Sequence, residues 1–505
     1  MRKFYAICLF FIMGFGHLAM AQIFNPGDAV VNYDPNNPPA APAWGTIGKW
    51  VRTLRSDVNF TNKDSYKCYY LNGMPFRLKF PKSYQQGVSD GKKYPIFIFF
   101  HGKGEGGGIY DNEYSLYHGG GKFCAAVDNG NFDGFILVPQ NTTGYFGAGH
   151  FSFVKQILDT LIASNKLDVN RIFVDGLSAG GSATWDFMFA YPTLVAGFLP
   201  ISGCSIAYKD QVNTFKYIPL WIFQGGLDNN PHPNTTAQVM TADSLAGGNW
   251  KETIYPNGGH GIWDNAWNES DFWPWINRQN KTNPWPKAGH NEFCPGETVN
   301  VTLGLTAGFD GYEWRKDGVT IPGATSNELV VTAYGTYDAR IKRGDVWSDY
   351  SATPVVVKQK SATQTPPISI SGLMSKVIPA PDGNNFVTLT LPDGYTSYRW
   401  AKATDTTTLA TTQTYNASTA GQYRAKVTEL YGCSSEWSSL FNVVPASGTK
   451  APAPASGLTA TAISKTAITL DWTDNPNRLR DLPCQYLRWP VFPGQTHRSK
   501  CCYLY

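Results

Sequence analysis

The spacing of apolar residues divides the chain into distinct regimes. Residues 22–65 show little periodicity and many Pro, Asn and Gly, as in Asn36-Asn37-Pro38-Pro39 and Ala40-Ala41-Pro42-Ala43, which predicts an extended lead-in. From about Tyr66 the pattern changes. Residues 95–100 and 134–139 are unbroken apolar runs, the mark of strands buried on both faces. Residues 153–164 place Val154, Ile157, Leu158, Leu161 and Ile162 on one helical face. Segments 171–175, 197–201 and 219–223 read as further strands. Such alternation over residues 66–285 predicts an α/β domain, a parallel sheet covered by helices.

Beyond residue 285 helical spacing gives way to short alternating segments separated by turn residues. Gly311-Tyr312-Glu313-Trp314 is echoed by Tyr398-Arg399-Trp400, and Gly335-Thr336-Tyr337-Asp338-Ala339-Arg340 by Gly421-Gln422-Tyr423-Arg424-Ala425-Lys426. Trp314 to Trp400 and Tyr337 to Tyr423 are both 86 positions apart. One offset for two landmarks predicts two copies of a β-sandwich module, residues 286–360 and 361–446. Their core Trp and late-strand Tyr resemble immunoglobulin-like domains. Cys294 lies early in the first copy and Cys433 late in the second, so a disulfide within either module is not expected. After a Pro/Ala/Ser linker (447–456), residues 457–476 resemble the opening strands of a fibronectin type III domain. Residues 477–505 abandon the pattern, with Arg478, Arg480, Arg488, Arg498 and Lys500 against Asp481 and three of the nine cysteines. This aberrant tail reads as out-of-frame or truncated coding sequence, the alternative being an unstructured tail.

The first 21 residues set the expected compartment. Arg2 and Lys3, an apolar run over residues 4–13, and Ala19-Met20-Ala21 form a secretory signal peptide, so a secreted protein without a membrane anchor is expected. A formal net charge of +4 over 505 residues argues against nucleic acid as a partner. The scattered cysteines show no repeated metal-binding spacing, so a zinc site is not expected.

Gly176-Leu177-Ser178-Ala179-Gly180 lies between a strand pattern and a helix pattern, the context of a nucleophile elbow. Side chains at its flanking positions would clash, and the turn would hold Ser178 Oγ out from the sheet. The loop His101-Gly102-Lys103-Gly104-Glu105-Gly106-Gly107-Gly108 follows an apolar strand and is rich enough in Gly to bring amides near a developing oxyanion. Lys103 N–H and Ala179 N–H are the candidate donors, and His101 is read as shaping this loop. Asp228, after the strand at 219–223, is the candidate acid, and His260, in Asn257-Gly258-Gly259-His260-Gly261, the candidate base. His118, His150, His232 and His290 compete as base, and Asp264 and Asp271 as acid. Of the aromatics after His260, Trp263 is the candidate pocket residue, while Trp267, Phe272, Trp273 and Trp275 read mainly as packing.

Residues 66–276 resemble secreted α/β-hydrolase esterases of the polyhydroxybutyrate-depolymerase and feruloyl-esterase (predicted peptidase) type. The resemblance is carried by Tyr94-Pro95, His101 to Glu105, Pro139-Gln140, Asp168 to Val174, Gly176 to Gly181, Gly225-Gly226-Leu227-Asp228 and Gly259-His260. It implies a metal-free, cofactor-free serine carboxylic-ester hydrolase working through an acyl-enzyme, with small esters or acylated polysaccharide (acetyl or feruloyl) as expected substrates. A serine peptidase on the same triad and a non-catalytic carbohydrate-binding or adhesion protein are the alternatives. Two departures fall near the acid. Gln224 stands where such enzymes often carry His, and Asn229-Asn230-Pro231-His232-Pro233 replaces the usual apolar ending.

Overall fold

The unbroken apolar runs form the middle of a nine-stranded sheet. The computed structural model describes residues 23–371, 375–380, 383–430, 432–446, 456–464 and 467–473. The expected signal peptide, most of the linker and the aberrant tail lie outside the described residues.

In chain order the strands of the first part are β1 (Val31–Asn32), β2 (Gly48–Lys49), β3 (Val51–Arg52), β4 (Tyr66–Leu71), β5 (Met74–Lys79), β6 (Tyr94–Phe100), β7 (Phe135–Pro139), β8 (Leu167–Leu177), β9 (Val195–Ile201), β10 (Leu220–Gly225) and β11 (Trp250–Tyr255). The central order is β11-β10-β9-β8-β6-β7-β5-β4-β2. β7, β6, β8, β9, β10 and β11 are parallel neighbours, and β5, β4 and β2 close one edge with antiparallel pairings. The helices are α1 (Gly120–Asp128), α2 (Ala148–Ala163), α3 (Ala179–Ala190), α4 (Val212–Phe215), α5 (Pro233–Leu245), α6 (Trp263–Trp267) and α7 (Phe272–Arg278). This mixed sheet flanked by helices is an α/β-hydrolase-like arrangement. The segment read as a lead-in supplies the edge strand β2, together with β1 and β3, which pair with each other.

Every residue of β6 is buried because alternate side chains enter different cores. Ile96, Ile98 and Phe100 pack with α2 and α3. Phe97 and Phe99 pack with α1, α6 and α7. The antiparallel edge is held by charge. Glu113, fully buried, meets Arg77 at 2.6 Å, Lys63 at 3.2 Å and Arg52 at 3.4 Å. A buried carboxylate is tolerable only with such partners, and two of these cations come from the lead-in.

Residues 299–358 belong to the same compact unit as the α/β domain. Tyr217 OH donates to Glu328 (2.7 Å), and Gly304 lies so close to the Tyr217 ring that a Cβ would stand 2.2 Å from it. Arg343 donates to the Thr193 carbonyl (2.9 Å) and to Asn170 Oδ1 (3.1 Å), with its guanidinium over Phe309. The two modules repeat each other in detail. Trp314 and Trp400 are fully buried and donate to the carbonyls of Ser326 and Thr412. Tyr337 and Tyr423 hydroxyls donate to Ala333 and Thr419, four residues back in each case. Each copy is built of short, mostly antiparallel sheets, with Trp314 opposite Ala339 and Trp400 opposite Ala425.

The cysteine pairing left open by the sequence is Cys294–Cys433, which closes a separation of 139 residues. Residues 292–298 group with the second compact unit, not with the first module that sequence position assigns them to, so both cysteines fall in one unit. The segment resembling the start of a fibronectin type III domain forms an antiparallel hairpin, Ser456–Ser464 with Ala467–Thr473.

Arg343→Ala leaves the Thr193 carbonyl without its partner. We expect it to cost about 1–3 kcal/mol, read as a lower urea midpoint of the full chain. An unchanged midpoint would mean that this docking adds nothing to stability.

Candidate active site

The site gathers at the carboxyl ends of the parallel strands, where the loops after β6, β8, β10 and β11 share one edge. Between β8 and α3 the chain turns at Ser178, with φ 56° and ψ −117°, a conformation costly for a side chain and kept where surroundings enforce it. The enforcement is steric. A Cβ on Gly176 would lie 2.3 Å from the Gly180 carbonyl oxygen, and one on Gly180 would lie 1.9 Å from that of Phe100. Ser178 N–H donates to the Ile201 carbonyl of the next strand (2.8 Å).

Ser178 Oγ lies 2.8 Å from His260 Nε2, and His260 Nδ1 lies 2.9 Å from Asp228 Oδ2. With Nδ1–H donated to the carboxylate, Nε2 is the lone-pair nitrogen facing the serine hydroxyl. Asp228 is 3 % exposed, and its other oxygen accepts from Asn230 N–H (2.8 Å), so its position is fixed. The structure therefore brings together the three residues proposed from sequence. The competitors are placed elsewhere. His150 and His232 accept from backbone amides at the starts of α2 and α5, His118 faces Glu105, and His290 is exposed. Asp264 and Asp271 face Lys122 and Lys251.

Lys103 opens the 3-10 turn after β6, and Ala179 is the first residue of α3. The two segments are in contact, since a Cβ on Gly102 would stand 2.6 Å from Leu177 Cδ1. Among the described residues, neither amide has a hydrogen-bond acceptor. Both are free to serve a ligand oxygen at a strand end. His101 is fully buried beneath them. Its Nδ1–H donates to the Gly102 carbonyl (2.7 Å) and its Nε2 accepts from Asn141 N–H (3.0 Å), which ties the turn to the neighbouring loop. Trp263 is half-buried with its ring edge-on to His260 at 6.0 Å, whereas Trp267, Phe272 and Trp275 are buried in the core. Among the described residues no group of three or more His, Cys, Asp or Glu is placed to hold a metal ion, and no helix is long and apolar enough to cross a membrane.

Two supporting residues escaped the sequence reading. Ser202, buried with φ 49°, donates its hydroxyl to the His260 carbonyl (2.7 Å) and so fixes the base-bearing loop. Its only signal is a small polar residue directly after a strand. Gln224, the departure noted before the acid, is buried. It donates to the carbonyls of Gly225 (2.9 Å) and Pro231 (3.0 Å) and accepts from Thr236 (2.7 Å). It thus braces the unusual acid loop.

No protein-family model matches the chain. A stretch of 57 residues, 11% of the chain, is 39% identical to poly(3-hydroxyalkanoate) depolymerase C of Paucimonas lemoignei and spans 14% of that protein's length. Among solved structures, a thermostable esterase is similar at 22% identity over 43% of this chain and 64% of its own, with a TM-score of 0.38. A feruloyl esterase module from Clostridium thermocellum complexed with sinapinate is similar at 19% identity, 49% and 94% coverage and a TM-score of 0.31. Acylaminoacyl peptidase of Pyrococcus horikoshii is similar at 15% identity, 40% and 37% coverage and a TM-score of 0.30.

Burial pushes His101 from the ordinary 6.5 down to about 4, so the folded site holds it neutral. The unfolded chain takes up this proton first, so the contribution is complete above about pH 6.5 and is lost as pH falls toward 4. The urea midpoint should therefore fall over that window, and His101→Gln should lack this part of the slope. An identical slope in the variant would show that other groups carry it.

Proposed function

We propose that this chain is a secreted serine hydrolase of carboxylic esters. The observation that carries the reading is the continuous hydrogen-bonded line from Ser178 Oγ through His260 to Asp228 at one sheet edge. Ser178 Oγ attacks the acyl carbon while His260 Nε2 takes its proton, and Asp228 stabilises the imidazolium that forms. Lys103 N–H and Ala179 N–H receive the negative oxygen, a donor of this kind being worth about 3–4 kcal/mol in the transition state. His260 returns the proton to the departing alcohol. Water, activated by the same imidazole, then cleaves the acyl-serine, so ester and water leave as acid and alcohol.

The substrate part of the reading is an acyl ester of a polysaccharide, acetyl or feruloyl. It is supported by the β-sandwich modules appended to an expected export signal; the short likeness is to a depolymerase of a polyester, not of a polysaccharide. Trp263, beside His260, is assigned to the wall of the substrate pocket.

The full chain should turn over p-nitrophenyl acetate or methyl ferulate, and Ser178→Ala should lose on the order of 10⁴–10⁶ in kcat. Asp228→Asn should lose about 10⁴, through the wrong imidazole tautomer. Turnover of peptides without esters would replace the esterase reading with a peptidase one. Folded but inert wild type that fluorophosphonate does not label would overturn the hydrolase altogether.

A further inference from the structure

The loop His101-Gly102-Lys103-Gly104-Glu105 contains a charged residue that no step above uses. Glu105 is the third residue of the turn Lys103–Glu105, which Gly102 caps, and it is only 6% exposed. Its side chain folds back over the cap, so that a Cβ on Gly102 would stand 2.7 Å from Oε2. An acid three positions after a cap can face the cap's own amide and fix how the chain enters the turn. Among the described residues Oε2, the oxygen over Gly102, is buried without a hydrogen-bond partner, and burial pushes this carboxyl up. Behind it, His118 Nε2 lies 3.4 Å from Oε1, and the His118 ring rests on Trp263 at 5.1 Å. The Glu105 carbonyl is held as well, by Gln140 Nε2 at 3.1 Å. On the opposite side Gly102 abuts Leu177, the residue before Ser178. The turn is thus wedged between the elbow and the Glu105 side chain, and Lys103, an exposed residue, opens it.

We propose that Glu105 is a positioning residue for the oxyanion donor: its carboxyl, backed by His118, sets the direction of Lys103 N–H. The proposal rests on the serine-hydrolase reading and adds a residue that touches no substrate. A small misalignment of a catalytic donor costs up to about a hundredfold in rate without weakening ground-state binding.

The test uses the full chain with Glu105→Ala and Glu105→Gln, each titrated to completion with a fluorophosphonate so that turnover is expressed per reactive Ser178. With p-nitrophenyl acetate, Glu105→Ala should lose about ten- to a hundredfold in kcat with KM within about twofold. Affinity for a trifluoromethyl ketone, whose adduct oxygen occupies the oxyanion position, should weaken by the same factor. Glu105→Gln, which keeps an acceptor oxygen over Gly102, should recover most of both. Should the alanine variant not fold, Glu105→Asp, one methylene short, carries the same expectation. Wild-type turnover per labelled site with only a lower melting temperature would overturn the proposal, as would a raised KM at unchanged kcat. Absence of ester turnover in the wild type itself would sink the hydrolase reading, and this proposal with it, before any variant is compared.

Discussion

The site depends on the absence of space around one turn. Gly176 and Gly180 have carbonyl oxygens where a Cβ would go, which brings α3 down onto the end of β6 and forces Ser178 into its positive-φ conformation. A strained serine costs of order 1–3 kcal/mol. Packing on both sides of the sheet supplies the restoring force, because β6 and β8 are buried strands that cannot shift to relieve the turn. The geometry at Ser178 is therefore a property of the whole parallel sheet.

Around this turn, buried polar groups replace freedom with fixed direction. His101 joins the turn after β6 to the Asn141 loop, Ser202 ties the His260 loop to the end of β9, and Gln224 closes the Asp228 loop. A buried polar group that loses one partner costs the desolvation of the other. Each brace is thus hard to break piecemeal, and three loops from separate strands stay in register without any direct covalent link among them.

The parallel strands, the sandwich repeat and the residues Ser178, Asp228 and His260 were legible because each leaves a local mark. Continuous apolar runs mark the strands, an 86-residue offset marks the repeat, and Gly-flanked positions at strand ends mark the three loops. What was not legible depends on side chains meeting across the fold. Arg52 and Lys63 read as part of a featureless lead-in, yet they neutralise Glu113 in the interior. The pairing of Cys294 with Cys433 depends on which unit residues 292–298 join, and no spacing rule contains that. The start of the helix after Ser178 was not legible either. α3 begins at Ala179, because the elbow itself supplies the first turn, whereas apolar spacing begins only at Ala183.

The modules themselves bear on whether their aromatic residues could serve as platforms for sugar rings. Stacking needs an open ring face. In the first module Arg340 lies over Trp347 and Tyr350, and Arg315 over Tyr350 at 3.4 Å. In the second, Arg399, Arg424 and Lys426 all lie over Trp437. A ring already paired with a cation would have to give up that contact, worth roughly 0.5–2 kcal/mol, before a sugar could replace it. The ladders are better explained as internal staples of the two sandwiches. In the α/β part, where the acyl chemistry is proposed, Trp263 is half-buried and Tyr117 exposed, while exposed Tyr145 carries Lys103 Nζ over its ring at 5.4 Å. The first sandwich, through Arg343 and Glu328, contacts the α/β part near the starts of β8, β9 and β10, away from the strand ends that carry the loops of Ser178, Asp228 and His260.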